Sequence, residues 1–137
     1  FFNNTWAVRS DYCLSARVSL CTFELTQECD AFLNSSSSVE VSDCSFSKGL
    51  LGPTVFNCSS TTFSSCSFEK ALIGFYAESS LDTVLENCTF SENCLGFYAY
   101  NCSHLQLMNC SFYHDALWLD AEYDLWATYT IENCTVN

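Results

Sequence analysis

A cysteine followed two residues later by phenylalanine returns at a fixed interval, and that interval constrains the fold more than any other feature. Cys44, Cys66, Cys88 and Cys110, in "SDCSF", "SSCSF", "ENCTF" and "MNCSF", are evenly spaced. Looser copies flank them: Cys21 in "LCTF" lies one position further from Cys44 than the interval, and Cys134 in "NCTV" two positions further from Cys110. Such a period, about 22 residues, marks a solenoid, in which no unit can bury its apolar face alone and neighbours must stack. Leucine is too sparse for a leucine-rich repeat, and paired-helix repeats need more than about 30 residues. The chain is rich in Ser, Thr, Phe, Tyr, Cys and Val, which favours strands. The 137 residues read as one all-β domain, with an irregular cap over 1–20 and repeating coils over 21–137.

The columns define the coil. Three residues before each ladder cysteine stand Val18, Val41, Phe63, Leu85, Leu107 and Ile131. Two residues after it stand Phe23, Phe46, Phe68, Phe90, Phe112 and Val136. Both columns are apolar and are expected inside. The residue directly after the cysteine is always Ser or Thr, and strand alternation turns it outward. An offset of three breaks that alternation, so a bend is expected near Asp43, Ser65, Asn87, Asn109 and Asn133, residue types suited to left-handed backbone. A further strand aligns Ile73, Leu95 and Leu117, then Phe75, Phe97 and Leu119, around a Gly52–Gly74–Gly96 column that Trp118 continues. Three short strands per coil, about six such coils and an internal cysteine ladder form the pattern of a right-handed parallel β-helix solenoid. The hand comes from that fold class, because periodicity does not show it.

Cysteine at the bend reads as a small hydrophobe that tolerates burial. Adjacent rungs also bring Cα atoms into the range of disulfides. The ladder of Cys21, Cys44, Cys66, Cys88, Cys110 and Cys134 therefore accommodates free thiols first and some disulfides second. Eleven cysteines cannot all pair within one chain. Cys58, Ser80 and Cys102 form a partial second column whose serine cannot bond covalently. No CxxC pair exists, and His104 and His114 have no repeating partner, so neither metal nor cofactor is expected.

Net charge is −12, with four Lys and Arg in all, which argues against nucleic acid and against anionic membranes. Arg9, Arg17, Lys48 and Lys70 do not sit in acidic clusters that would support a polysaccharide lyase. The carboxylates Asp115, Asp120, Glu122 and Asp124 read as a solvated face rather than a hydrolytic pair. The chain is read as non-enzymatic, with no catalytic residue. Tyr76, Tyr98 and Asp120 are expected to stack on one flank, beside Glu78, Tyr100 and Glu122. With Trp118, Tyr123 and Trp126 these aromatics are the candidate interface: Tyr76, Tyr98, Tyr100, Trp118, Tyr123 and Trp126.

N-x-S/T sequons begin at Asn3, Asn34, Asn57, Asn87, Asn101, Asn109 and Asn133, and together with the cysteines they suit secretion. Five of them are the repeat's own N-C-S/T motif, which bend, ladder and outward hydroxyl already explain. No signal peptide or transmembrane run is present, and the chain opens on Phe1 as a processed product or fragment would. Phe1, Phe2, Trp6 and Tyr12 are expected to cover the N-terminal end, and the last coil to dock on another chain or on a missing remainder of this one.

The opening "FFNNT", the coil "CSFEKALIGFYAES" and the evenly spaced cysteine coils resemble the β-helix of the large adenovirus early-region-1B protein family, which includes the left-hand capsid protein of atadenoviruses. The resemblance spans Phe2 to Phe112. It is sharpest over Cys66–Glu78, with Phe68, Glu69, Lys70, Gly74 and Glu78 in register. Regulatory members of that family bind cellular proteins, including a tumour suppressor; capsid members form trimeric knobs on the virion. This chain lacks the basic coils of the regulatory members, so the resemblance implies a structural role, with no partner-binding residue carried over. The expected function is a self-associating capsid surface component, assembled in the host nucleus as a trimer or filament or with other structural proteins. The alternative is an extracellular N-glycosylated glycoprotein or fibre subunit.

Overall fold

The computed structural model describes residues 3–120 and 128–137. Six coils each give one strand to each of three six-stranded sheets. The first sheet holds β1 (Trp6–Asp11), β4 (Cys29–Asn34), β7 (Thr54–Phe56), β10 (Ile73–Glu78), β13 (Leu95–Tyr100) and β16 (Leu117–Asp120). The second holds β2 (Ala16–Ser19), β5 (Ser37–Ser42), β8 (Ser59–Ser64), β11 (Leu81–Glu86), β14 (Leu105–Met108) and β17 (Tyr129–Glu132). The third holds β3 (Thr22–Glu24), β6 (Ser45–Ser47), β9 (Ser67–Glu69), β12 (Thr89–Ser91), β15 (Ser111–Tyr113) and β18 (Thr135–Val136). Every pair is parallel and joins equivalent residues of successive coils, as in Phe46↔Phe68 and Phe68↔Phe90. This is the all-β parallel solenoid expected from the period.

The core follows the two apolar columns. Phe23, Phe46, Phe68, Phe90 and Phe112 stack with centroids 4.7, 5.4, 4.6 and 4.5 Å apart. Phe75 and Phe97 stack at 5.2 Å and meet that column edge-on, Phe68 against Phe75 and Phe90 against Phe97. Each such pair adds roughly 0.5–1.5 kcal/mol beyond burial. Val41, Phe63, Leu85 and Leu107 close the core from the second sheet. The columns open out in the sixth coil, where Ile131 is 46% and Val136 63% exposed.

Left-handed residues turn the chain at all three corners. Asp43, Ser65, Asn87, Asn109 and Asn133 have φ of 53–54°, the bend that the offset of three requires. Tyr12, Ser35, Asn57, Ser79 and Asn101 do the same between the first and second sheets, and Leu25, Lys48, Lys70, Glu92 and His114 between the third and first. None of these residues is glycine. The glycine column serves close approach instead: a Cβ on Gly52 would lie 1.8 Å from the Gly74 carbonyl oxygen, and one on Gly74 2.6 Å from that of Gly96.

Three expectations change. Residues 6–19 do not belong to an irregular cap over 1–20, since β1 and β2 pair in register with β4 and β5. The coil starts at Trp6 because a parallel rung needs only backbone register and small inward side chains such as Ala7, Ala16 and Val18, all packed against the core. Tyr12 covers no end; it is 78% exposed at a corner. Phe1 and Phe2 lie outside the described residues. In the fifth coil Phe97 pairs with Leu117, Tyr98 with Trp118 and Tyr100 with Asp120. The corner between Tyr113 and Leu117 is two residues shorter than that between Ser91 and Phe97, so Leu117 does not continue Ile73–Leu95. Gly96 meets Ala116, not Trp118.

Candidate functional site

Each corner leaves one backbone N–H facing the next coil, and what answers it differs from corner to corner. At the ladder corner the answer is sulfur. The Cys110 N–H donates to Cys134 Sγ at 3.4 Å, and the same cysteine-to-cysteine backbone contact acts on Cys44, Cys66, Cys88 and Cys110. The thiols donate in turn to carbonyls two residues back: Ser42 O (3.1 Å), Ser64 O (3.3 Å), Glu86 O (3.4 Å), Met108 O (3.4 Å) and Glu132 O (3.4 Å). Cys44, Cys66, Cys88 and Cys110 are buried, while Cys21 and Cys134 at the two ends are half-buried. The ladder is therefore inside as expected, but it is a hydrogen-bonded column rather than a purely apolar one. All eleven cysteines are free thiols. Burial pushes the Cys44 thiol up to about 11. The neighbours Cys110 and Cys66 along the column raise Cys88, and the contact with Cys88 brings Cys110 down to about 7.

The corner between the first and second sheets repeats the device with mixed residues. Cys13 N–H donates to Ser36 Oγ (3.1 Å), Ser36 N–H to Cys58 Sγ (3.5 Å) and Cys58 N–H to Ser80 Oγ (3.1 Å). The partial column of Cys58, Ser80 and Cys102 thus extends back to Ser36 and Cys13. Serine and cysteine interchange because each offers one acceptor at the same reach.

At the corner between the third and first sheets the ladder positions are Thr26, Gly49, Ala71, Asn93 and Asp115. Ala71 N–H donates to Asn93 Oδ1 (2.9 Å), and Asn93 N–H to Asp115 Oδ1 (2.7 Å). Asn93 Nδ2 also donates to Phe68 O at 3.0 Å. Gly49 has no side chain, and the carboxylate of Asp30 lies over it, accepting from Thr26 Oγ1 at 2.5 Å. Asp30 is fully buried and its Oδ2 has no partner. Burial therefore pushes its carboxyl up to about 6, against a smaller opposing pull from Thr26. Asp115, read from the sequence as part of a solvated face, is instead turned into this corner, where its Oδ2 is buried. Nothing in the period marked Thr26, Asp30 or Asn93, because their residue types do not repeat.

The outward face of the first sheet carries the aromatic flank. Tyr76 and Tyr98 lie 5.4 Å apart, and Tyr98 meets Trp118 edge-on at 6.2 Å. Trp118 is 58% exposed; Tyr76, Tyr98 and Tyr100 are half-buried. Trp118, not Asp120, thus follows Tyr76 and Tyr98, and Asp120 follows Glu78 and Tyr100. The Tyr76 hydroxyl donates to Glu78. Ile73, Leu95, Tyr98 and Trp118 line a shallow open cavity of about 240 Å³. Tyr123, Trp126, Glu122 and Asp124 lie outside the described residues.

Asn3, Asn57, Asn87, Asn109 and Asn133 are exposed at corners, and Asn34 and Asn101 are half-buried. Among the described residues no three His, Cys, Asp or Glu converge on a metal-sized site, and no helix is long and apolar enough to cross a membrane.

The family described as the right-handed β-helix region matches residues 6–137. The chain belongs to that family, which also supplies the hand of the coil. No curated protein matches the sequence. A solved structure of QnrB1, a plasmid-mediated fluoroquinolone resistance protein, aligns with the whole chain over 92% of its own, at 11% identity and a TM-score of 0.21. That likeness is too slight to argue from.

Proposed function

We propose that this β-helix is a non-enzymatic structural protein that assembles with other protein chains, its own copies or different structural proteins, through the aromatic flank. The observation that carries the reading is Trp118, 58% exposed at the end of the Tyr76–Tyr98 column on a rigid sheet. Large aromatics fixed by neighbouring rungs lose little entropy on contact and dominate protein interfaces. The likeness of Cys66–Glu78 to adenoviral β-helices supports placing the assembly at a viral capsid surface. Binding without catalysis also accords with the buried thiols. Seven of the eleven cysteines are buried, Cys66 and Cys110 with lowered pKa included, so what withholds these thiols from a substrate is their enclosure between rungs.

Trp118→Glu tests the contact directly. In sedimentation of the chain with and without its assembly partners, the charge on the flank is expected to abolish association while the melting temperature holds. Association unchanged by Trp118→Glu defeats the proposal.

The second reading, a secreted glycoprotein, is favoured by the accessibility of the sequons: five of the seven asparagines are exposed at turns. Intact mass of the protein from its native source separates the two. Hexose-rich additions favour secretion, and the bare polypeptide mass with eleven free thiols favours assembly inside a cell.

A further inference from the structure

The cavity between Ile73, Leu95, Tyr98 and Trp118 is walled almost entirely by apolar surface. At about 240 Å³ it falls below the roughly 300–1,000 Å³ of small-molecule sites, and it suits one or two apolar side chains. Leu50 and Leu72, each 49% exposed, extend apolar surface along the neighbouring corner. The cavity alone does not say what fills it; the charge around it does.

Charge is distributed unevenly along the coil. Residues 1–70 carry all four Lys and Arg with seven Asp and Glu; residues 71–137 carry nine Asp and Glu and no Lys or Arg. Each of the four cations is already held by acids: Arg9 by Asp11, Arg17 by Glu40, Lys48 by Glu24, and Lys70 by Glu69 and Glu92. Lys70 stands three residues before Ile73, so the cation nearest the cavity in sequence is also engaged. Glu78 lies beside Tyr76 on the flank, and Glu92 stands three residues before Leu95. A second copy of the chain would bring another net −12 with its Lys and Arg already paired. Like-charged surfaces repel, whereas a cationic surface is steered in and pairs with the excess carboxylates. Exposed Trp and Tyr also attract Lys and Arg through their ring faces.

We propose that the flank docks a cationic segment of a different protein, an aliphatic or aromatic side chain seating in the cavity with Lys or Arg on either side. This rests on the flank being a contact surface, as proposed above, and names the chemistry of its partner. The acids supply attraction and orientation, and the cavity supplies the register.

A random peptide library selected on the full chain tests this, with the Trp118→Ala chain as counter-target. Enriched peptides are expected to place Lys or Arg around one large apolar residue. They should bind Trp118→Ala and Ile73→Lys at least tenfold more weakly, and lose at least tenfold in affinity from low to high salt. Trp118 is more than half exposed, so Trp118→Ala should fold, and unchanged melting verifies that in both variants. Enrichment of neutral or acidic peptides that still need Trp118 overturns the cationic partner and keeps the contact surface. Self-association of the free chain, abolished by Trp118→Glu and unaffected by basic peptides, does the same in favour of a second copy. If neither peptides nor copies bind in a Trp118-dependent way, both this inference and the flank reading fall.

Discussion

The ladder corner and the corner between the third and first sheets solve one problem with opposite materials. Both must give an acceptor to a backbone N–H that faces the next coil. The ladder corner uses cysteine six times, and its thiols both accept and donate. The other corner uses Thr26, Gly49, Ala71, Asn93 and Asp115, and borrows the buried Asp30 to fill the gap at Gly49. Uniform rungs leave each thiol replaceable by anything of similar reach. The mixed corner is fitted piece by piece, with an unpartnered Asp30 oxygen and glycines pressed against backbone, so single changes there should cost more.

Glycine substitutions give the largest expected effect. A Cβ at Gly52 meets the Gly74 carbonyl oxygen at 1.8 Å, and backbone cannot yield as a side chain does. Gly52→Ala should cost more than about 3 kcal/mol, beyond ordinary overpacking, and chemical denaturation or loss of soluble protein reads it. A variant as stable as the parent would show that the coils are not packed so closely there.

Next comes Asp30, through pH. The folded chain holds this proton to about pH 6, whereas the ordinary value is 3.8. Between those values the folded state binds more protons, so stability falls as pH rises through the window and stays lower above it. Two pKa units amount to about 3 kcal/mol. Denaturation midpoints should show the decline in the parent and a smaller one in Asp30→Asn, where burial still raises Asp115. An equal slope in both would mean that the carboxyl is not buried as an acid.

Asn93→Ala removes the acceptor for Ala71 N–H and the donor to Phe68 O, two buried bonds worth about 2–3 kcal/mol together. Cys88→Ala should cost less, about 1–2 kcal/mol, for a small cavity and one weak donor. Thermal melting of the pair tests the contrast: a ladder substitution costlier than Asn93→Ala breaks it.

The smallest expected effect sharpens the comparison most. Ser80 already does what a serine at Cys88 would do, accepting from Cys58 N–H at 3.1 Å and donating to Glu78 O at 2.9 Å. Cys88→Ser should therefore cost under about 1 kcal/mol, the scale of one exchanged hydrogen bond. A loss above about 2 kcal/mol, the scale of a buried hydroxyl left unpaired, would restore the apolar reading of the column.

Much of this architecture is legible in the residues themselves. The cysteine period fixes the rung, because parallel in-register stacking demands the same residue class at the same place in every coil. The apolar columns, the outward Ser and Thr, and the left-handed Asp43, Ser65, Asn87, Asn109 and Asn133 follow from it. The first coil is less legible, since Ala7 and Ala16 carry little signal before the cysteine pattern begins. The mixed corner is not legible at all, because a lone N–H needs only some acceptor, and Asn, Asp, Ser and Cys all supply one. Tertiary structure alone placed Trp118 on Tyr98. A two-residue shortening of one corner moves a whole strand's register, and a repeat count along the chain does not reveal at which corner the residues were lost. Sequence thus determined which residues face inward, and packing decided which outward residues stand side by side.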